Sequence, residues 1–445
     1  MVFSSNIFMF IFLPLLLILY YSVKRLTFRN YILLTASILF YAWGEPVFVF
    51  IMLMSIFINW LLSIMMSNSS HKSHKRFWLI LAVTLDVILL GVFKYAGFIT
   101  ENLGLTRINI ALPIGISFFT FQMMSYVFDV YYGNAQAQKN PLYVALYISF
   151  FPQLIAGPIV RYNQIANEIT ERHENFNDFS EGVRRFIYGL GKKILIANFV
   201  AQVADNVFDS ILNPSVLTSW LGALSYTLQI YYDFSGYSDM AIGLGLMFGF
   251  HFEENFNYPY TASSVTDFWH RWHISLSTWF RDYVYIPLGG SRVTHSRWLM
   301  NLFTVWLLTG IWHGANWTFI LWGLFYFVLL VVEREMKIKL GHVLTLLMVI
   351  ISWVIFRSST VSGGVSFIAS MFGLSSNSLY DGGFIMYLKG SWPVIAFGVT
   401  GAFPMMRNFF ERHKLIEALW LCLVFVISSL EIIGSSYNPF IYFNL

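Results

Sequence analysis

From Trp298 to Val332 the chain carries no Asp, Glu, Lys or Arg, and no other stretch constrains the fold as tightly. At ~1.5 Å per residue, one straight helix over this run would exceed the ~30 Å hydrocarbon core of a bilayer by more than half. The run must therefore break. The place for a break is Gly310-Ile311-Trp312-His313-Gly314, where two glycines flank a histidine and Asn316 and Trp317 follow. Irregular backbone at membrane depth is tolerated only where it is buried in protein or lines a cavity. A lone imidazole there is a functional candidate by default, set against the plainer reading of a histidine that bonds a carbonyl and holds the break together. Gly310 and Gly314 also match the spacing of closely packed membrane helices, which leaves the Trp and His between them unexplained.

Composition places this run in a membrane protein. Of 445 residues, 57% are hydrophobic and 11% charged, against roughly 25% charged in average globular proteins. A soluble surface of this size cannot be covered by so few charges. Twelve Pro and one Cys beside 45 Phe, 25 Tyr and 15 Trp exclude disordered, collagenous and disulfide-scaffold chains. Cys422 lies in an apolar run, where it is read as packing. The net charge of +4 comes from short clusters between apolar runs, so nucleic acid is not an expected partner.

Apolar runs at 6–23, 30–43, 47–67, 77–98, 111–128, 141–160, 185–206, 215–232, 238–250, 298–312, 315–332, 343–357, 392–406 and 415–433 lead us to expect about 10–12 transmembrane helices plus re-entrant or interfacial pieces. Residues 1–23 end in Lys24 and Arg25 and lack the basic start and cleavage site of a removable signal, so they are read as the first span. Lys24, Arg25 and Arg29 in the first loop, and His71, Lys72, His74, Lys75 and Arg76 in the third, put the N-terminus outside and these loops in the cytoplasm. The hydrophilic stretch 161–185 reads as an interfacial helix capped by Asp178 or Ser180. Among ionisable residues in apolar runs, Asp86, Lys94, Asp129, Asp233, Asp239 and Glu417 should face protein rather than lipid. Asp233-Phe-Ser-Gly-Tyr-Ser-Asp239 leads into Gly243 and Gly245, read as tight helix packing. With no repeat or appended soluble domain, residues 1–445 are expected to form one membrane-embedded domain.

A second informative region is 251–292, too charged to cross lipid and too aromatic for a solvated loop. Asp267 stands three and four residues before His270 and Arg271, and an Asp one turn from a His can fix its tautomer. Two readings stay open: an interface belt of Trp269, Trp272 and Trp279 with Arg271 and Arg281, or a functional site around His270 and His273. His-x-x-His alone lacks the ligand set of a zinc site, so no metal is expected. At His313, an unperturbed pKa of ~6.5 suits taking and returning a hydroxyl proton. Asn316, the Trp312 or Trp317 indole N–H, or freed backbone amides are candidates to steady an oxyanion.

Several stretches together carry a resemblance. Ala111-Leu-Pro-Ile-Gly-Ile-Ser-Phe-Phe-Thr-Phe-Gln122, Asp267-Phe-Trp-His-Arg-Trp-His-Ile-Ser-Leu-Ser-Thr-Trp-Phe-Arg-Asp282, Ile286-Pro-Leu-Gly-Gly290, Ile311-Trp-His-Gly-Ala-Asn-Trp317 and the tail Asn438-Pro-Phe-Ile-Tyr-Phe443 resemble the membrane-bound O-acyltransferase family. Within it, the likeness is greatest to the branch of bacterial alginate O-acetyltransferase membrane subunits. The resemblance implies an all-α polytopic fold, a ring or funnel of helices around a central tunnel, with a catalytic core region over about 110–340. It implies catalysis at His313 with His273, and supporting or substrate-binding roles for Asp267, Trp269, Arg271, Trp272, Ser275, Trp312 and Asn316. It also implies an O-acetyltransferase of the bacterial cytoplasmic membrane with no tightly bound cofactor. The donor would be acetyl-CoA or another acyl thioester, the acceptor a hydroxyl of an extracytoplasmic glycan, and an extracytoplasmic acyltransferase- or esterase-like protein a partner beside membrane lipids. D-alanyl transfer to teichoic acids is the neighbouring alternative, and a small-molecule transporter the alternative from another class.

Overall fold

The computed structural model describes residues 1–445 apart from 212, 339, 376, 436 and 442–445, so Tyr442 and Phe443 of the terminal motif lie outside the described residues. Among the described residues every regular element is a helix, which satisfies the backbone within each segment as hydrocarbon demands. Among the described residues, five helices are long and apolar enough to cross a membrane: Phe48–Asn68, Lys72–Asn102, Phe176–Ser210, Trp317–Glu335 and Lys414–Gly434. Shorter apolar helices cover Phe8–Ser22, Leu26–Ala42, Gly341–Arg357 and Val361–Met371. Large apolar side chains such as Ile18, Phe50, Val343 and Leu419 are more than half exposed, a surface suited to lipid. The protein is an all-α polytopic membrane protein.

Contacts divide the chain into two units, Met1–Phe186 with Ser238–Glu254, and Ile187–Tyr237 with Asn255–Leu445. In the first, the ionisable residues of the apolar runs meet polar partners. Asn59 Nδ2 donates to Asp86 Oδ1 at 2.9 Å, and Lys94 Nζ to Ser117 Oγ at 3.2 Å. The run 141–160 is not one helix: Pro141–Ser149 stops at Phe150, whose ψ is 113°. Pro152, two residues on, has no N–H to continue the ladder. The hydrophilic stretch forms Tyr162–Glu171 and the start of Phe176–Gly191. Its second helix is capped by Asn175, whose Oδ1 accepts from Asp178 N at 2.8 Å. The expected caps Asp178 and Ser180 instead lie inside the helix, because Asn175 reaches the free N–H groups from one turn earlier.

The glycines read as packing residues do pack. A Cβ on Gly243 would stand 2.5 Å from Gly182 O, and one on Gly182 would stand 2.6 Å from Gly243 O. Two helices thus approach to backbone contact through paired glycines, as in close membrane-helix interfaces.

In the second unit, Ala223, Ile350, Val354 and Met371 form a small apolar core. The runs 215–232 and 238–250 belong to one continuous helix, Val216–Met247. Its buried Asp233 does not interrupt it, because Lys193 Nζ bonds Asp233 Oδ1 at 2.5 Å and Ile441 N bonds Oδ2 at 2.9 Å. Lys193 Nζ also donates to Pro439 O, and Tyr437 Oη donates to Asp205 Oδ2 at 2.7 Å. The buried charges and the terminal segment therefore satisfy one another.

The glycine contact gives a test. Gly243→Val must push Gly182 away and should lower the melting temperature in detergent, by the equivalent of about 1–3 kcal/mol or more. Gly390→Ala, at a helical position with nothing within 4 Å, should leave melting unchanged or slightly raised.

Candidate active site

The charge-free run breaks where its length required. His295–His313 ends at the histidine, Gly314 takes an extended φ of 176°, and Trp317–Glu335 begins after Asn316. Asn316 builds the second helix start. Its Oδ1 accepts from Thr318 N at 3.1 Å, while its Nδ2 donates to Ser359 O at 2.9 Å. The two helices then pack back on each other through glycine. A Cβ on Gly323 would stand 2.4 Å from Trp306 O, and one on Gly310 would stand 2.6 Å from Phe319 O. Gly314 is needed as well, since a Cβ there would lie 2.4 Å from the Phe319 ring. The Gly310–Gly314 spacing thus serves this turn, with Gly323 as the partner of Gly310.

His313 is buried at the end of its helix within a box of aromatic rings. Its ring centroid lies 5.0 Å from Trp312, 4.9 Å from Trp322 at 87° and 5.2 Å from Phe356 at 81°. Trp322 in turn packs on Trp269 at 5.7 Å and on Trp353 at 6.1 Å. Such a lining excludes water and strengthens any charge interaction made inside it.

The second histidine reaches this box through Trp312. The rings of His273 and Trp312 are 6.1 Å apart, so both imidazoles lie against one indole. His273 does not sit within a helix. The short helices Val265–Trp269 and Ile274–Phe280 leave it between them with φ 45°, a left-handed conformation that a non-glycine residue holds only when its surroundings enforce it. Asn255 is what enforces it. Ile274 N donates to Asn255 O at 2.9 Å. Asn255 Oδ1 accepts from Ser275 N at 3.1 Å and from Ser275 Oγ at 2.8 Å, and lies 3.2 Å from His273 Nδ1. An amide oxygen only accepts, so Nδ1 carries the proton and Nε2 keeps its lone pair. The segment lies outside the helices that qualify as spans, and burial pushes the His273 imidazole down to about 3, leaving it neutral at physiological pH.

Asp267 does not perform the role suggested by its spacing. Its Oδ1 accepts from Arg271 Nε at 2.7 Å and its Oδ2 from Ser263 N at 3.1 Å, so its partner at i+4 is the arginine. Partial burial opposes its charge, but the Arg271 hydrogen bond holds the carboxyl below its ordinary range. His270 is exposed. Trp269 and Trp272 are buried; Trp272 packs on Trp353 at 4.8 Å with the rings tilted by 44°. Trp317 is 52% exposed. The structure therefore gathers His313, His273, Trp312, Trp269, Trp272 and Ser275, with Asp267, Arg271 and Asn316 supporting backbone around them.

Sequence reasoning missed Asn255, Trp322, Phe356 and Glu333. Glu333 accepts from Val265 N at 2.7 Å and Thr266 N at 3.2 Å, holding the start of the helix before His273. It closes the charge-free run, which was a signal available in the sequence.

Residues 136–340 match the family model of MBOAT, the membrane-bound O-acyltransferase family. The chain is 45% identical to a probable alginate O-acetylase AlgI of Azotobacter vinelandii, over 86% of this chain and 80% of that protein. It is 39% identical to the probable alginate O-acetylase AlgI of Pseudomonas putida, over the full length of both. It is 33% identical to a peptidoglycan O-acetyltransferase of Helicobacter pylori, over 100% of this chain and 97% of that protein.

His273 yields a pH test with a definite sign. Burial holds the folded His273 imidazole down to about 3, whereas an unfolded histidine takes a proton near pH 6.5. Below that value the unfolded chain binds more protons, so this contribution to stability is complete above pH 6.5 and is lost as pH falls. Melting of the wild type in detergent should fall by about 1 kcal/mol more than that of His273→Gln between roughly pH 7.5 and 5.5. Equal slopes would show that His273 titrates normally.

Proposed function

Because the chain belongs to the membrane-bound O-acyltransferase family and is an acyltransferase, we propose that it moves an acetyl group from a cytoplasmic thioester to hydroxyls of an extracytoplasmic polysaccharide, with His313 as the base. The observation that carries this reading is the imidazole of His313, buried at a helix break in an otherwise uncharged run and boxed by aromatic rings. A base in that setting has no competing protein charge on its own helix pair from Trp298 to Val332, and the rings keep water from intercepting the acyl group.

In the proposed reaction, His313 takes the proton of the attacking hydroxyl as its oxygen bonds to the thioester carbonyl carbon. The carbonyl oxygen becomes an oxyanion; collapse breaks the C–S bond, and the thiolate leaves with the proton returned by the imidazolium. His273, with Nδ1–H fixed on Asn255, offers Nε2 to orient the acceptor or donor beside Trp312. Trp269, Trp272 and Ser275 hold that arrangement, while Asp267, Arg271 and Asn316 hold its backbone. Acetyl-CoA or another acyl thioester is a substrate, approaching from the cytoplasm while the acceptor approaches from the other face through a tunnel. An extracytoplasmic acyltransferase- or esterase-like partner completes delivery to the glycan. The names of the similar proteins, alginate O-acetylase and peptidoglycan O-acetyltransferase, support acetyl as the group and a bacterial surface polymer as the destination. The basic first and third loops support a cytoplasmic-membrane topology with the N-terminus outside.

The experiment is acetylation of the cell-surface polymer, measured by mass analysis in a deletion strain carrying His313→Ala at matched membrane abundance. Loss of a general base costs about 10²–10⁴ in rate, so acetyl content should fall to the deletion level. Near-wild-type acetylation would overturn the assignment.

A further inference from the structure

The proposed reaction needs a donor for the charge that develops on the acyl oxygen, and Asn316, Gly314 and Trp317 beside the break are poorly placed to be it. Asn316 uses its oxygen on Thr318 N and its amide on Ser359 O. Gly314 N–H is bonded to Ile311 O at 3.2 Å, and Trp317 is half exposed, where water competes for its N–H. Trp322 differs from all of these. It is 1% exposed, and among the described residues its indole Nε1 has no hydrogen-bond partner. Its ring stands 4.9 Å from the His313 ring at 87°. A buried N–H without an acceptor calls for an explanation, a catalytic role among them; the indoles of Trp269 and Trp353 share this state, and of these it is Trp322 whose ring packs on His313. Of the rings packed on Trp322 among the described residues, that of His313 is the one imidazole.

Resting on His313 as the base of acyl transfer, we propose that Trp322 is a catalytic residue whose indole Nε1–H donates to the acyl carbonyl oxygen as it becomes an oxyanion. The hydroxyl proton goes to His313, the new C–O bond forms, and the electron pair of the carbonyl is held by Trp322 until the C–S bond breaks and the thiolate carries the proton away. A neutral donor fixed by packing suits this task, because it needs no reorganisation as the charge appears in a dry site. The packing is in place: Trp322 is braced by Trp269 at 5.7 Å, Tyr326 at 5.4 Å and Phe356 at 5.2 Å. Gly323, the next residue, seats its helix against Trp306 O and so fixes the height of the indole relative to His313.

The test uses the purified full chain in proteoliposomes with labelled acetyl-CoA and a small soluble hydroxyl acceptor. Trp322→Phe removes the N–H and part of the ring; amber-codon incorporation of benzothienylalanine at 322 removes the N–H and keeps the shape. His313→Ala is measured in parallel. Loss of one oxyanion donor typically costs about 10²–10³ in kcat. We expect that loss for both replacements, with the donor KM within about three-fold of wild type and, for the benzothienyl variant, an unchanged melting temperature. A benzothienyl variant whose kcat stays within about three-fold of wild type would overturn the proposal, even if Trp322→Phe is unstable. A rise in KM alone would overturn it too, making Trp322 a ground-state binder. Activity retained by His313→Ala would instead strike the assignment of the base, which separates the two failures.

Discussion

The site depends on a contact that only hydrogen can make. Gly323 lies so close to Trp306 O that a Cβ would stand 2.4 Å from it, and Gly310 lies equally hard against the Phe319 carbonyl. These approaches let the two halves of a charge-free run fold back on themselves as a hairpin. Without them the helices would part, and His313 would lose Trp322 and Phe356 from its sides. Association of helices in lipid has little hydrophobic driving force and rests on such close packing. The same device recurs at Gly182 and Gly243 in the other unit.

Around this hairpin, polar groups are placed by pairs that make burial tolerable. Asn255 gathers His273 and Ser275 on one oxygen and fixes which imidazole nitrogen keeps its lone pair. Glu333 holds the N–H groups that begin the preceding helix. Arg271 and Asp267 neutralise each other at the edge. What remains in the interior is two histidines against one indole, in a lining of rings. Such a site favours moving a proton between substrate groups over stabilising a permanent charge.

The break at Gly310–Gly314 was legible in the sequence because length alone forbade one straight helix, and His313 stood out as the only histidine within that run. Packing by Gly243 was legible from residue type. The partners were not. Asp233 looked like an end between two apolar runs, yet it lies in the middle of a helix because Lys193, forty residues earlier, and the terminal segment neutralise it. Asp267 had both His270 and Arg271 within a turn, and spacing could not choose between them; the arginine won through a charge-assisted bond at 2.7 Å. Asn255 and Trp322 carried no periodic or motif signal, since what distinguishes them is contact across the fold.

The central claim is that the His313 imidazole moves the proton in acyl transfer. Its most direct measurement is single-turnover thiol release from an acetyl thioester by purified protein, with and without a hydroxyl acceptor, for the wild type and for His313→Gln, which keeps size and polarity but cannot take the proton. Acceptor-dependent release in the wild type and a loss of about 10² or more in His313→Gln is the result the account predicts. Equal release rates in the two proteins would contradict it.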